Sequence, residues 1–287
     1  MSFDNFKEKV WAAGIQTELE RLHVFAADTN REYEGVIKNL GDTVRIKNVG
    51  KPTIAEHDMY EDGRAITLSD PEEVADGNIS VVVDHYATLN FKVDDIDKAQ
   101  GASEVMDALK GEVSEGIADV HDRFIANLLK GAIGISTYND EYNSGNVVTL
   151  TKDNLFGIVD LMQQMLFEND VKTTTPLVLT LPPWVNTLFR QGFIHTDQDN
   201  SAVLRNGKVG QYGNIELKMS NNVPKDGDGN WYIPLKTNRA IAFVHQATHL
   251  EPYRPEKGFS DALKGLDIYG GKIVRPKELT VLKCKPN

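Results

Sequence analysis

His245 and His249, in His245-Gln246-Ala247-Thr248-His249, stand at the i, i+4 spacing with which one turn of helix carries two imidazoles to a zinc ion. The glutamate that activates water in such a motif is replaced by Gln246, and the segment follows the strand-like AIAFV. Asp226, Asp228 and Asn230 match the first three ligand positions of an EF-hand calcium loop. Trp231 stands where that loop needs glycine and Thr237 where it needs glutamate, so the Asp-Gly-Asp-Gly-Asn run predicts a turn between strands, with at most a weak surface calcium site. Gly207, Gly210 and Gly213 lack the spacing of a dinucleotide turn. Gly270-Gly271-Lys272 is followed by Ile273 instead of the hydroxyl that binds Mg²⁺, so both sets predict backbone turns. Asp94, Asp95 and Asp97 offer three carboxylates to a divalent ion, but they precede a long helical pattern and predict N-terminal capping. Cys284 lies between Lys283 and Lys285, which would favour its thiolate; so near the last residue it is expected to lack a scaffold and to be inert. No GxSxG is present. Each candidate fails at an essential position, and catalytic, cofactor and metal residues are all expected to be absent.

The elements around these residues are easier to read. Phe3, Phe6, Val10, Ile15, Leu19 and Leu22 recur at spacings of three to five and predict an amphipathic helix over residues 4–22. The next stretch, AADTNREYEG, holds turn formers and little to pack, so nothing local covers that apolar stripe. TVRIKNV predicts a strand through Val44, Ile46 and Val49. Residues 50–77 then carry eight acids against Lys51 and Arg64, with only Ile66 and Leu68 to break the run, as expected of a long loop that lies over something else. ISVVVDHYATLNFKV predicts one strand. Residues 95–131 predict the longest helix, with Val105, Leu109, Val113, Ile117, Val120, Phe124 and Leu128 on one face and Gly101, Gly111 and Gly116 as points of kinking or fraying.

A Gly/Asn/Ser loop over residues 134–146 is followed by a helix capped by Thr151, which buries Leu155, Ile158, Val159, Met162, Met165 and Leu166. LVLTL predicts a strand, ended by Pro182-Pro183, with a short helix over residues 184–190 behind it. Further strands are expected at IELKMS, WYIPL, AIAFV, LDIYG and KIVRP, those after about residue 250 returning to an earlier sheet. The alternation of strands and helices predicts an α+β chain with an α/β region.

The charge balance narrows the function classes. Thirty-one basic residues against 42 acidic ones give a net charge of −11, which repels phosphate and disfavours a dedicated nucleic-acid binder or a polybasic membrane anchor. Asp4, Lys7, Glu8 and Lys9 interrupt the first ten residues where a signal peptide needs apolar ones, and no apolar run approaches the ~18 residues of a membrane span. The single cysteine cannot close an intrachain disulfide, in keeping with a protein that acts in or leaves from a reducing cytosol.

Taken in order, the amphipathic arm, YEGVIKNLGDTVRIKNVGKPTI, VVVDHYATLNFKVDDIDKAQ running into the long helix, GKVGQYGNIELKMSNNV and GLDIYGGKIVRPKEL resemble the major capsid proteins of tailed bacteriophages over nearly the whole chain. The resemblance implies the tailed-phage major capsid fold, with an N-terminal arm over residues 1–34 and an extended β loop over 35–78, the core of that loop being 50–77. It further implies a peripheral domain with a long spine helix over 79–145, an axial α/β domain over 146–249 and a return to the peripheral domain over 250–287.

The implied function is structural and not enzymatic: a subunit that assembles into hexamers and pentamers of an icosahedral head around double-stranded DNA, which it encloses without sequence-specific binding. A portal is the implied partner, a separate scaffolding or decoration protein stays open, and no membrane or cofactor is involved. The implied location is the virion capsid, assembled in the bacterial host cytoplasm. Because the arm begins at residue 3, a separate scaffold or an already processed form is expected. Phe6, Val10, Ile15, Leu19 and Leu22 of the arm, with Glu72 and Glu73 of the acidic loop, are the expected assembly residues. An uncovered arm, a loop without a core and a helix of about 45 Å are liabilities in a monomer that neighbouring copies would resolve. Two other classes stay open: an acidic metal-dependent hydrolase built on His245 and His249, and a small-oligomer binding module or tail component.

Overall fold

A computed structural model describes residues 22–32, 43–49, 76–131, 135–193, 208–254 and 260–287. The assembly residues Phe6, Val10, Ile15, Leu19, Glu72 and Glu73 lie outside these ranges, as does nearly all of the expected N-terminal helix. Strand β1 (Thr43–Val49) pairs antiparallel with β2 (Asp76–Val82), which brings the two ends of the acidic loop together. The single strand expected over residues 79–93 is two strands in different sheets. The chain breaks at Val83-Asp84, and β3 (His85–Asp94) pairs with a strand near the end of the chain instead.

Helix α1 (Asp95–Leu128) follows β3 directly and runs 34 residues, about 51 Å, without interruption at its glycines. Gly111 and Gly116 have open space where a Cβ would stand, so nothing packs there to bend the axis. The face of α1 buried within the subunit differs from the expected one. Ser114, Ala118, His121, Asp122, Ile125, Ala126 and Leu129 are buried, while Val113, Ile117, Phe124 and Leu128 are half-buried and Val120 is 37% exposed. The predicted stripe sits one residue over from the interior one.

The expected 134–146 loop contains strand β4 (Ser136–Thr137) and helix α2 (Tyr138–Tyr142), capped where the Thr137 hydroxyl accepts from the Asp140 amide. Buried Asn139 donates to the carbonyls of Asn146 and Lys283 and accepts from the Lys283 amide, so one side chain ties this connection to the last strand. Strand β5 (Val148–Leu150) leads to helix α3 (Leu155–Glu168), whose six expected core residues are all buried. Thr151 is not its cap. Asn154 holds the N-cap position and its side-chain oxygen accepts from the Thr151 amide, because a turn intervenes before the helix starts.

Strand β6 (Leu177–Leu181) is buried at every position, as a strand covered on both faces should be, and α4 (Pro183–Phe193) follows its proline stop. The glycine loop expected before IELKMS is instead strand β7 (Lys208–Tyr212), joined to β8 (Ile215–Met219) by a two-residue turn in which Gly213 takes φ +56°. Strands β9 (Trp231–Thr237), β10 (Ile241–Tyr253) and β11 (Ser260–Ile273) follow. LDIYG and the start of KIVRP belong to one 14-residue strand, and Gly270-Gly271 lies inside it and is no turn.

The last strand, β12 (Leu279–Pro286), pairs with β9 on one side and with β4 and β5 on the other. The return after residue 250 therefore has two destinations. β11 joins β10 and β3 in a three-stranded sheet, and β12 joins a seven-stranded sheet ordered β4-β12-β9-β6-β8-β7 with β5 also on β12. One core packs α3 and α4 on that larger sheet; a second gathers Phe25, Ile125, Leu129, Ile241, Phe243 and Leu279 around the end of α1.

Candidate functional site

The densest concentration of buried polar groups joins five elements where residues 23–31 enter the second core. This segment does not behave as a stretch with little to pack: Phe25 and Ala26 are fully buried, and a single 3₁₀ turn spans Ala26–Asp28. Asn30 bridges to Ala242 at the start of β10, donating to the Ile241 carbonyl at 2.8 Å and accepting from the Phe243 amide at 3.1 Å. Asp122 of α1 receives the amides of Val24, Phe25 and Ala26 at 2.9, 3.0 and 3.0 Å, satisfying three donors that a 3₁₀ turn leaves unpaired. Burial nevertheless pushes its carboxyl up to about 6, outweighing those three hydrogen bonds.

Three imidazoles lie beside this carboxylate. His121 on α1 is fully buried, its Nε2 2.6 Å from Asp267 Oδ2 on β11 and its Nδ1 3.2 Å from His23 Nε2. The Asp267 carboxylate accepts, so His121 donates from Nε2, and its Nδ1 shares one proton with His23 Nε2. His23 Nδ1 is buried and without a hydrogen-bond partner among the described residues. His245 on β10 stacks on His121 at 5.3 Å and accepts from Arg31 Nη2 at 2.7 Å. Burial first, and the neighbouring His121 and Arg31 second, lower both His23 and His245 to about 3, so both are neutral at pH 7.

Deeper still, Lys218 of β8 donates to Asp28 Oδ1 at 2.7 Å, and Lys236 of β9, fully buried, donates to the Asp28 carbonyl. Burial brings Lys236 down to about 8. Apart from His245, these groups are spread from residue 23 to residue 267 in no recognisable motif, which is why sequence reasoning missed them. The local signal was that His121, Asp122, Lys218, Lys236 and Asp267 fall at buried helix or strand positions.

Apart from His245, the residues singled out for chemistry go elsewhere. His245 and His249 lie on β10 with a bulge between Ala247 and His249, so the helical geometry a two-histidine zinc motif needs is not formed. Among the described residues no group of three or more histidine, cysteine, aspartate or glutamate side chains is arranged to hold a metal. Asp226 accepts from the Asp228 and Asn230 amides and the Asn230 side chain and pairs with Lys283 at 3.1 Å, as a turn between strands requires. Asp94, Asp95 and Asp97 stand at the junction of β3 and α1, where capping was expected. Cys284 has a scaffold after all: it is buried in β12 opposite Trp231, and burial pushes its thiol up to about 12. Leu22, the one expected assembly residue of the arm among the described residues, is 40% exposed.

On the outer side of α1 an open groove of about 530 Å³ is lined by Val120, Arg123, Phe124, Leu128, His85 and Tyr269. Phe124 stacks edge-on against Tyr269 and 4.6 Å from His85, and Tyr86 nearby is 60% exposed. Val120, Phe124 and Leu128 give it an apolar wall, with His85 and Arg123 beside them.

No protein-family model matches the chain, and no curated protein matches it in sequence. Solved structures do. A structure from Mycobacterium phage Che8 is 26% identical with a TM-score of 0.68, over 91% of this chain and 90% of that one. The capsid of cyanophage P-SCSP1u aligns over 93% and 88% at 15% identity and a TM-score of 0.65, and the mature capsid of bacteriophage PhiM1 over 92% and 87% at 14% and 0.61. The chain has the tailed-phage capsid fold, an α+β fold, as the order of its motifs predicts.

Proposed function

We propose that this chain, which carries the phage capsid fold over about nine-tenths of its length, is a major capsid protein: a structural subunit that assembles with copies of itself into the icosahedral shell of a phage head. The observation that carries the reading is the likeness to the Che8 phage structure over about nine-tenths of both chains, with the capsids of two further phages close behind. The half-exposed apolar stripe of α1 supports it, because a 34-residue helix with apolar residues on two adjacent stripes is suited to burying one inside the subunit and the other against a neighbour.

In this reading residues 1–34 are the arm, 35–78 the extended loop, 79–145 the peripheral domain with α1 as its spine, 146–249 the axial domain and 250–287 the return, of which β12 completes the axial sheet. Phe6, Val10, Ile15, Leu19 and Leu22 fasten the arm to neighbouring copies, and Glu72 and Glu73 place the acidic loop against basic groups there. The shell uses hexamers and pentamers, takes a portal as its partner, forms in the host cytoplasm, and encloses DNA without base-specific contacts. A container wall with net charge −11 does not hold its cargo by phosphate neutralisation. Electron microscopy and light scattering on the chain expressed with its neighbouring phage genes test this. Closed shells or tubes of megadalton mass are expected; a monodisperse monomer at high concentration under those conditions would overturn it.

A further inference from the structure

We infer that residues 23–31 form a proton-released latch: acidification charges the packed imidazoles of His23 and His245 beside His121 and frees this segment from α1 and β10, while the rest of the subunit stays folded. The inference concerns the subunit itself and does not depend on shell assembly.

The geometry leaves no place for added protons. His23, His121 and His245 have ring centroids 5.3 to 6.1 Å apart, and Arg31 already brings a guanidinium to His245. The carboxylates on the surrounding elements are committed elsewhere. Asp267 of β11 is bound by His121, Asp122 of α1 by three amides and Asp28 of the segment by Lys218. Tyr269 of β11 meets His121 only through its ring edge. A charged His23 carries an N–H at Nδ1, the buried nitrogen without a partner among the described residues.

Linkage fixes the direction and the window. His23 and His245 are held at about 3 when docked and return to about 6.5 when released, so release takes up two protons as pH falls below 6.5. Asp122 acts against them: docked at about 6 and released near 3.8, it gives up one proton on release across that interval. Lys236, docked at about 8, is charged in both states throughout this range and contributes no slope. The net uptake is two protons between pH 6.5 and 6 and one between pH 6 and 3.8. The opening equilibrium should therefore rise about 30-fold between pH 6.5 and 5.

Hydrogen exchange on the purified full chain, corrected for intrinsic rates, reads this directly. The amides of Val24, Phe25, Ala26 and Asn30 should be protected at pH 7.5 and lose about 30-fold of protection between pH 6.5 and 5, while the amides of β6 keep theirs. In the His23→Gln/His245→Gln double variant the two imidazoles are gone and the opposing proton release by Asp122 remains, so protection should stay level or increase over the same range. Should that variant already lack protection at pH 7.5, the imidazole C2–H resonances of wild-type subunits decide. Titration of His23 and His245 in step with loss of amide protection supports the latch, and titration near 6.5 with the amides still protected overturns it. Level protection in the wild type down to pH 4.5, or loss that coincides with loss in β6, overturns it as well.

Discussion

At the scale of single residues, glycines divide into those the backbone requires and those it merely tolerates. Gly270 lies where β11 passes under the break between β2 and β3, and a Cβ there would fall 2.3 Å from the Val82 carbonyl oxygen and 2.9 Å from Val83 Cα. Both are backbone atoms, which cannot swing aside as a side-chain tip can. Gly270→Ala should therefore cost about 1–3 kcal/mol, the range for forced overpacking. Gly116, exposed in α1 with open space around it, should gain about 0.5–1 kcal/mol as Gly116→Ala by relief of helix entropy. Urea denaturation midpoints of the two variants should move in opposite directions. The sequence distinguishes neither case, since the close approach at Gly270 is made by residues 188 positions earlier. The same distance in sequence hid the buried cluster, where His23 and His121 are 98 residues apart and His121 and Asp267 are 146 apart. The negative readings at Asp226 and at the two-histidine motif were legible because they rested on local rules of spacing.

For whole elements, periodicity located the long helices and most of the longer strands, missed β4, α2, β5, β7 and β12, and assigned the wrong face of the longest helix. The stripe through Val113, Ile117, Val120, Phe124 and Leu128 is the more hydrophobic on α1; the stripe that fills the subunit core includes Ser114, His121 and Asp122, which no hydrophobic pattern would select. Those polar residues are admitted because the 23–31 segment and β11 supply their hydrogen bonds. Similarly, β12 was missed because LTVLKCKP carries lysines at Lys283 and Lys285, although both neighbouring strands and Asn139 supply its pairing. The two stripes of α1 should separate folding from association. Ile125→Ala, which empties a fully buried site, should cost about 2–5 kcal/mol in thermal or denaturant unfolding. Val120→Gln on the outer stripe should cost less than about 1 kcal/mol, yet lower the yield of sedimenting assemblies. A Val120 variant that assembles like the wild type would mean that the outer stripe faces water in the shell.

Across the whole molecule, two electrostatic effects of opposite sign bear on association, and one pair of substitutions sets them against each other. Every copy carries a net charge of −11, so bringing copies together raises repulsion that salt screens, and adding positive charge anywhere on the surface should ease assembly. Glu72→Lys with Glu73→Lys takes the net charge to −7 and by that global effect should help. If these two residues instead meet basic groups on a neighbour, the reversal places like charges together at the contact and should hinder assembly. The local effect should win, because the Debye length of about 8 Å at physiological ionic strength screens charges spread over a subunit far more than charges a few ångströms apart. Glu141→Lys with Asp153→Lys, two exposed acids at helix starts, alters net charge by the same amount and serves as the comparison. Light scattering across a salt series should show the Glu141/Asp153 variant assembling at least as readily as the wild type, and the Glu72/Glu73 variant assembling more slowly at low salt with the deficit shrinking as salt rises. Equal behaviour of the two variants at every ionic strength would mean that the acidic loop contributes bulk charge alone and does not clamp a neighbour.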